Sequence, residues 1–364
     1  MKRHNLLKKH TLGLAAALLV TAGMSQIALA GDSVYVNTSS LRYRTSAQIK
    51  DNNIAGNLSY GQKLERVGTS GQWTMILLNG KKYYVSSAYV TSKKPASAGA
   101  VQTTSQTAAG AQTSGGTAIA LSSNYKYANY SKINSGTATL YRSTASNKKN
   151  KVVCVNAGHG TNGGGSVKTQ CHPDGSAKVT GGTTGAGATS AVAVSSGMTF
   201  ADGTAESKVT LAMAKVLKTK LLNAGYDVLM IRESDDVQLD NIARTVIANN
   251  NADCHIALHW DSTSSNKGAF FMSVPSNATY RAMEPVASHW KQHNQLGESL
   301  ISGLKSAGVK IYSKGSMEMD LTQTSYSTIP SVDIELGDKA SDHSGATLET
   351  LANGLLTGVN TFFG

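Results

Sequence analysis

Residues 206–231, ESKVTLAMAKVLKTKLLNAGYDVLMI, decide the fold. Val209, Met213, Val216, Leu217 and Leu221 recur at helical spacing from Glu206 onward and share one face, and Gly225 ends that helix. Tyr226 to Ile231 then reads as a strand. The same grammar continues downstream. Leu239, Ile242 and Val246 mark a second helix, Asn249 to Asn251 stop it, and Cys254 to Leu258 form a strand. Upstream, Val152 to Asn156 is an apolar run short enough for a buried strand. A further helix repeats Leu296, Leu300 and Leu304, Ser331 to Ile334 is another strand, and Leu348, Leu351, Leu355 and Val359 mark a last helix. Alternation of this kind predicts an α/β domain over residues 151–364, with a largely parallel twisted sheet covered by helices on both faces.

Outside this domain the chain changes character. At 364 residues it has room for two or three domains, and 40% hydrophobic with 15% charged residues excludes acidic disorder and collagen. From Val34 to Val90 short alternating stretches are separated by Tyr60-Gly61, Ser70-Gly71 and Asn79-Gly80, which predicts a small all-β barrel. Residues 95–125 carry no charge and consist largely of Ala, Thr, Ser, Gly and Gln, so residues 94–125 read as a flexible linker. Residues 126–150 are basic, contain Tyr127, Tyr130 and Tyr141, and read as a lead-in to the α/β domain, with a second wall contact as the alternative. Residues 1–30 place Lys2, Arg3, Lys8 and Lys9 before the apolar run Leu12 to Met24 and then Ala28-Leu29-Ala30, the pattern of a signal peptide. That run is shorter than a bilayer span requires, so a soluble exported chain with no stable membrane anchor is expected.

Charge and cysteine narrow the classes further. Residues 31–150 hold 14 Lys+Arg against 3 Asp+Glu, whereas residues 151–364 hold 16 against 19, so the basicity belongs to the N-terminal part. A basic exported module suits an anionic polymer, and without a recognition motif it does not point to nucleic acid. Cys154, Cys171 and Cys254 are too few and odd in number for a disulfide scaffold; Cys154 and Cys254 sit in apolar runs and read as buried strand residues.

In open α/β sheets ligands bind beyond the carboxyl ends of the strands. Three such ends carry reactive groups: Gly158-His159-Gly160, His259-Trp260-Asp261 and Glu335-Leu336-Gly337, while Glu206 opens the first long helix. Taken singly, Glu206 reads first as an acid at the positive end of its helix, and each histidine equally as a structural hydrogen-bonding group. Taken together, two imidazoles and a carboxylate match the ligand set of catalytic zinc sites, which keep a fourth position open.

Four stretches carry a resemblance: VVCVNAGHGT from Val152, GTAESKVTLAMAKVLKTKLLNAGYDVLMIR from Gly203, NIARTVIANNNADCHIALHWDS from Asn241, and MDLTQTSYSTIPSVDIELGD from Met319. Residues 150–364 resemble the zinc-dependent N-acetylmuramoyl-L-alanine amidase domain (type 3 amidase family). The resemblance implies one Zn²⁺ held by His159, Glu206 and His259, with Glu335 as the catalytic glutamate. It also implies a catalytic role for Arg244, for which a surface or helix-packing arginine is the equal alternative. The substrate so implied is peptidoglycan, cut at the amide between N-acetylmuramic acid and the L-alanine of the stem peptide. Residues 33–93 resemble a bacterial Src-homology-3-like domain, a wall-binding module in its family. A secreted, wall-associated hydrolase follows, with anionic wall polymers as further partners of residues 31–150. The rival readings are a zinc peptidase acting within the stem peptide and a non-catalytic wall-binding protein.

The chain departs from the family at Asn156, Trp260-Asp261 and Asp338, none of them a ligand position, and residues 161–205 form a long Gly/Thr/Ser-rich stretch expected to affect substrate choice or cover the cleft. Competing constellations are weaker. His255 and His259 on one strand lie ~13 Å apart, too far to share an ion. His289 and His293, four apart on a helix, lack an HExxH motif and read as packing residues. Gly158 to Gly165 lacks the GK[ST] of a phosphate loop.

Overall fold

The computed structural model describes residues 32–37, 40–48, 53–59, 61–94 and 115–364. The expected signal peptide and residues 95–114 of the expected linker lie outside the described residues. The chain divides into two units, Met1–Thr107 and Ala108–Gly364.

The first unit contains β1 (Asp32–Val36), β2 (Ser40–Arg44), β3 (Ile54–Ser59), β4 (Lys63–Ser70), β5 (Trp73–Leu78), β6 (Lys81–Ser86) and β7 (Val90–Thr91). They form one antiparallel sheet in the order β3-β2-β6-β5-β4-β1-β7. Asn79 and Gly80 both take positive φ, at 50° and 74°, as the tight β5–β6 hairpin requires. Val34, Val36, Leu41, Leu58, Leu64, Ile76 and Val85 fill the interior. Tyr43, Tyr83 and Trp73 are half-buried, so aliphatic side chains rather than the aromatics form this core.

The second unit opens with β8 (Thr117–Ala120), β9 (Thr137–Tyr141), β10 (Val152–Ala157), β11 (Lys168–Gln170) and β12 (Ser190–Val192). Then come α1 (Glu206–Asn223), β13 (Asp227–Met230), α2 (Asn241–Asn251), β14 (Cys254–Asp261), β15 (Ala269–Ser273), α3 (Ala278–Ala282) and α4 (Val286–Ser306). The remaining elements are β16 (Ile311–Glu318), α5 (Thr322–Tyr326), β17 (Ser331–Asp338) and α6 (Gly345–Phe363). Eight strands form one sheet, ordered β16-β15-β17-β14-β10-β13-β9-β8.

The expected largely parallel sheet is parallel at its centre, across β13, β10, β14 and β17, and again between β15 and β16 at one edge. Its margins are mixed: β9 runs antiparallel to β13, β8 to β9 and β15 to β17. The cause is connection length. Residues 262–268 are too few for a helical crossover, so β15 returns against β17, and β16 then pairs parallel with β15. β15 and β16 are strands that the sequence reading leaves out. The sheet also begins earlier than residue 151: β8 lies within the stretch read as linker and β9 within the lead-in. The lead-in is held by Asp240, whose Oδ2 accepts from the N–H of Lys132 and Ile133 and from Ser131 Oγ, while its Oδ1 caps α2 through the Ala243 N–H.

The pleat of β10 explains why both faces need helices. Val153 and Val155 join Met213 and Leu217 of α1 and Leu351 and Leu355 of α6, whereas Cys154 packs with Ala243 and Ile247 of α2. Cys154, Cys171 and Cys254 are free and buried, as the apolar runs predict for the first and third. Among the described residues, no helix is long and apolar enough to cross a membrane.

Candidate metal centre

Because β10, β14 and β17 run parallel, their carboxyl ends reach one rim. His159 follows β10 in a left-handed conformation, φ 63°, which is costly for a residue with a Cβ and persists only where its surroundings enforce it. Arg244 supplies that enforcement. Its Nη2 donates to His159 O at 2.7 Å and Thr161 Oγ1 at 2.8 Å, its Nη1 to Asn156 Oδ1 and Ala157 O, and its Nε to Leu239 O. All five N–H groups of this buried guanidinium are therefore directed at the loop or the segment behind it, and none is left for a substrate. Arg232 grips the same loop through Gly158 O and Ala157 O.

Three donor atoms converge above this loop. His159 Nδ1 donates to Ser195 O at 2.8 Å, and its Nε2 lies against Glu206 Oε1, also at 2.8 Å. Glu206 is the first residue of α1, and its carboxylate is fixed by the Met198 N–H on Oε2 and the Trp260 N–H on Oε1. His259 Nδ1 lies 3.0 Å from His159 Nε2 and 3.2 Å from Glu206 Oε1, with the two rings nearly perpendicular at 87°. Among the described residues this is the group of three or more such side chains able to hold a metal. Separations of 2.8–3.2 Å approach the ~3.3 Å edge of a tetrahedron with metal bonds of about 2.0 Å, so the donor set fits zinc in number, type and spacing.

Two glycines make room for the rings. A Cβ on Gly158 would lie 2.3 Å from His259 Cε1, and one on Gly197, whose φ is 82°, 2.7 Å from His159 Cδ2.

Charge at the site is strongly coupled. Burial opposes ionisation of Glu206, yet the ring groups of His159 and His259 hold its carboxyl well below the usual carboxylate range. Burial likewise opposes protonation of His259, but the charge of Asp333 and then Glu206 pushes it up to about 10. Glu335, the strand neighbour of His259 in the parallel β14–β17 register, is 9% exposed, and its Oε2 has no partner. Burial, reinforced by Asp333, raises this carboxyl well above its ordinary value.

These residues line a cavity of about 460 Å³. Thr183, Ser195 and Met198 from the 161–205 stretch form part of its wall, with Met272, Met317 and Met319 also lining it. The stretch pairs β11 with β12 and is pinned by Asp320, fully buried after β16. Asp320 accepts from His172 Nε2 at 3.0 Å, Lys178 Nζ at 3.1 Å, the N–H groups of Val179 and Thr180, and Thr180 Oγ1.

The structure brings together His159, Glu206, His259 and Glu335 at one cavity and leaves the rival histidines outside the cluster. His255 is fully buried without a side-chain partner, and burial, with Arg244 adding, pushes it down to about 3. His293 accepts from the Ser331 N–H, and His289 contacts Pro285 O. The family departures are accommodated locally: Asn156 accepts from Arg244, Asp261 pairs with Lys267, Trp260 packs against Phe200, and Asp338 accepts from the Lys267 and Ala340 N–H groups. One acidic cavity residue is missing from the sequence reading. Asp333 lies with Oδ2 3.6 Å from His259 Nε2. The strict alternation of SVDIELGD, which puts Asp333 on the face of Glu335, is the signal that reveals it.

A family described as N-acetylmuramoyl-L-alanine amidase matches residues 153–353. Among solved structures, the apo amidase Ami1 of Mycobacterium abscessus is 19% identical, with 59% of this chain and 99% of that one covered, at a TM-score of 0.46. Ami1 of Mycobacterium smegmatis is 20% identical over 60% and 99%, at 0.45. The amidase of Clostridium difficile 630 is 17% identical over 58% and 96%, at 0.41. No curated protein matches the chain.

Proposed function

The chain belongs to the N-acetylmuramoyl-L-alanine amidase family, and we propose that it is a secreted peptidoglycan hydrolase that cleaves the amide between N-acetylmuramic acid and the L-alanine of the stem peptide. The observation that carries this reading is the meeting of His159 Nε2, Glu206 Oε1 and His259 Nδ1 beside Glu335, whose buried Oε2 has no partner. These three side chains would hold one zinc ion, which when bound supplies Lewis-acid activation of water and of the scissile carbonyl.

The chain's own groups do the rest. Glu335 takes a proton as the water oxygen bonds to the carbonyl carbon, and returns a proton to the leaving nitrogen as the C–N bond breaks. The products are the free lactyl carboxylate of the muramic acid and a stem peptide with a free L-alanine amine. Glu206 stays ionised and anchors the histidines. Arg244 acts through the backbone of His159, holding the ligand loop in its left-handed turn. The 161–205 wall narrows the approach to the cavity.

In the same reading, residues 1–30 are a signal peptide, residues 33–93 a Src-homology-3-like wall-binding module, and the basic 31–150 region an attachment to anionic wall polymers. A flexible tether would raise the local concentration of the catalytic unit at the polymer. Digestion of purified peptidoglycan with and without a chelator tests the activity. New L-alanine N-termini and peptide-free muramic acid, lost on chelation, are expected. New ends within the stem peptide would identify a peptidase instead, and no new ends with zinc bound would identify a wall-binding protein.

A further inference from the structure

The two imidazoles of the cluster are oriented differently. His159 presents Nε2 to the other donors because its Nδ1 is held by a backbone carbonyl at 2.8 Å. His259 presents the opposite nitrogen, Nδ1, so its Nε2 must carry the proton if Nδ1 is to offer a lone pair. The side chain that faces Nε2 is Asp333, with Oδ2 at 3.6 Å. That separation is an ion-pair contact rather than a hydrogen bond, and in so enclosed a place its attraction is weakly screened.

Asp333 is poorly explained by stability. On β17, Val332, Ile334 and Leu336 enter the core, while Asp333 shares the opposite face with Glu335. Its Oδ1 is buried and has no partner, an arrangement that disfavours folding. An apolar side chain of similar size would avoid that penalty.

We propose that Asp333 is a positioning residue whose carboxylate charge beside His259 Nε2 favours the proton on that nitrogen, and so the tautomer whose Nδ1 serves the metal. The inference rests on the zinc reading of the site. Carboxylate partners of this kind orient ligating histidines, and their removal typically weakens metal affinity by about 10–100-fold.

The test compares the purified full chain with its Asp333→Leu and Asp333→Asn variants, titrating zinc against a chromophoric chelator and measuring chemical unfolding of the metal-free proteins. Asp333→Leu is expected to bind zinc about 10–100-fold more weakly while its metal-free form is at least as stable as wild type. Asp333→Asn, which keeps an acceptor oxygen without the charge, is expected to lose less affinity, and it carries the test if the leucine variant does not fold. Equal zinc affinity in wild type and both variants overturns the role of Asp333 and leaves the metal site standing. A variant whose affinity falls only in proportion to lost stability also overturns it. Failure of the wild type to bind one equivalent of zinc overturns the site itself.

Discussion

Replacing Gly158 with alanine probes the site through a single methyl group. Gly158 does not occupy the left-handed region, so the backbone accepts alanine, and the strain falls on the side chain above it. The new Cβ would stand 2.3 Å from His259 Cε1 and 2.5 Å from Nε2, where ordinary contacts begin near 3.4 Å. The ring must therefore retreat by about 1 Å. A displacement of that size typically costs on the order of 100-fold in a positioned reaction, equivalent to about 2.7 kcal/mol. Gly165→Ala is the control: it lies on the same loop, has nothing within 4 Å of its would-be Cβ and also lies outside the left-handed region. Zinc titration and release of L-alanine termini from peptidoglycan, measured on both variants, are expected to show a large loss for Gly158→Ala and almost none for Gly165→Ala. Wild-type zinc affinity and turnover in Gly158→Ala would refute the placement of His259 over this loop.

Two further outcomes follow from buried groups away from the cluster. Asp320→Ala leaves the Lys178 ammonium, 8% exposed, without its ion-pair partner and removes the acceptor of His172, so a loss of about 3 kcal/mol in unfolding free energy is expected. Limited proteolysis should then cut within residues 161–205, and unchanged protease resistance would show that Asp320 does not pin this wall. His255 and His293 are both pushed down to about 3 by burial, whereas in the unfolded chain they titrate near ~6.5. Between those values the unfolded state binds more protons, so their contribution is complete above about pH 6.5 and is lost as pH falls toward 3, at about 1.4 kcal/mol per pH unit for each residue. His293→Gln, which retains an acceptor for the Ser331 N–H, should reduce the slope of stability between pH 6 and 4.5; an unchanged slope would remove His293 as its source.

Periodicity makes the centre of the α/β unit legible and leaves its margins obscure. β10, α1, β13, α2, β14, α4, β17 and α6 each bury a face whose apolar spacing stands in the chain itself. β8 and β9 consist of TAIA and TATLY, where small and β-branched residues show no strong alternation; β9 forms by pairing with β13, and β8 by pairing with β9. The direction of β15 depends on connection length rather than on its own residues. At the site, the ligand positions follow from strand ends, but the pairing of His172 with Asp320 joins residues 148 apart, and no local pattern announces it. The sequence singles out Arg244 yet cannot show that carbonyls and a hydroxyl take all its donors, since that arrangement depends on the turn of His159.

Three side chains from the ends of β10 and β14 and the start of α1 are placed to surround one metal ion. Anomalous diffraction at the zinc edge from crystals grown with one equivalent of zinc measures this directly. A single peak about 2.0–2.2 Å from His159 Nε2, Glu206 Oε1 and His259 Nδ1, with the Glu335 carboxyl facing it but not bonded, is the expected result. A peak at His289 and His293 instead, or zinc bonded to fewer than two of the three proposed ligands, would contradict it.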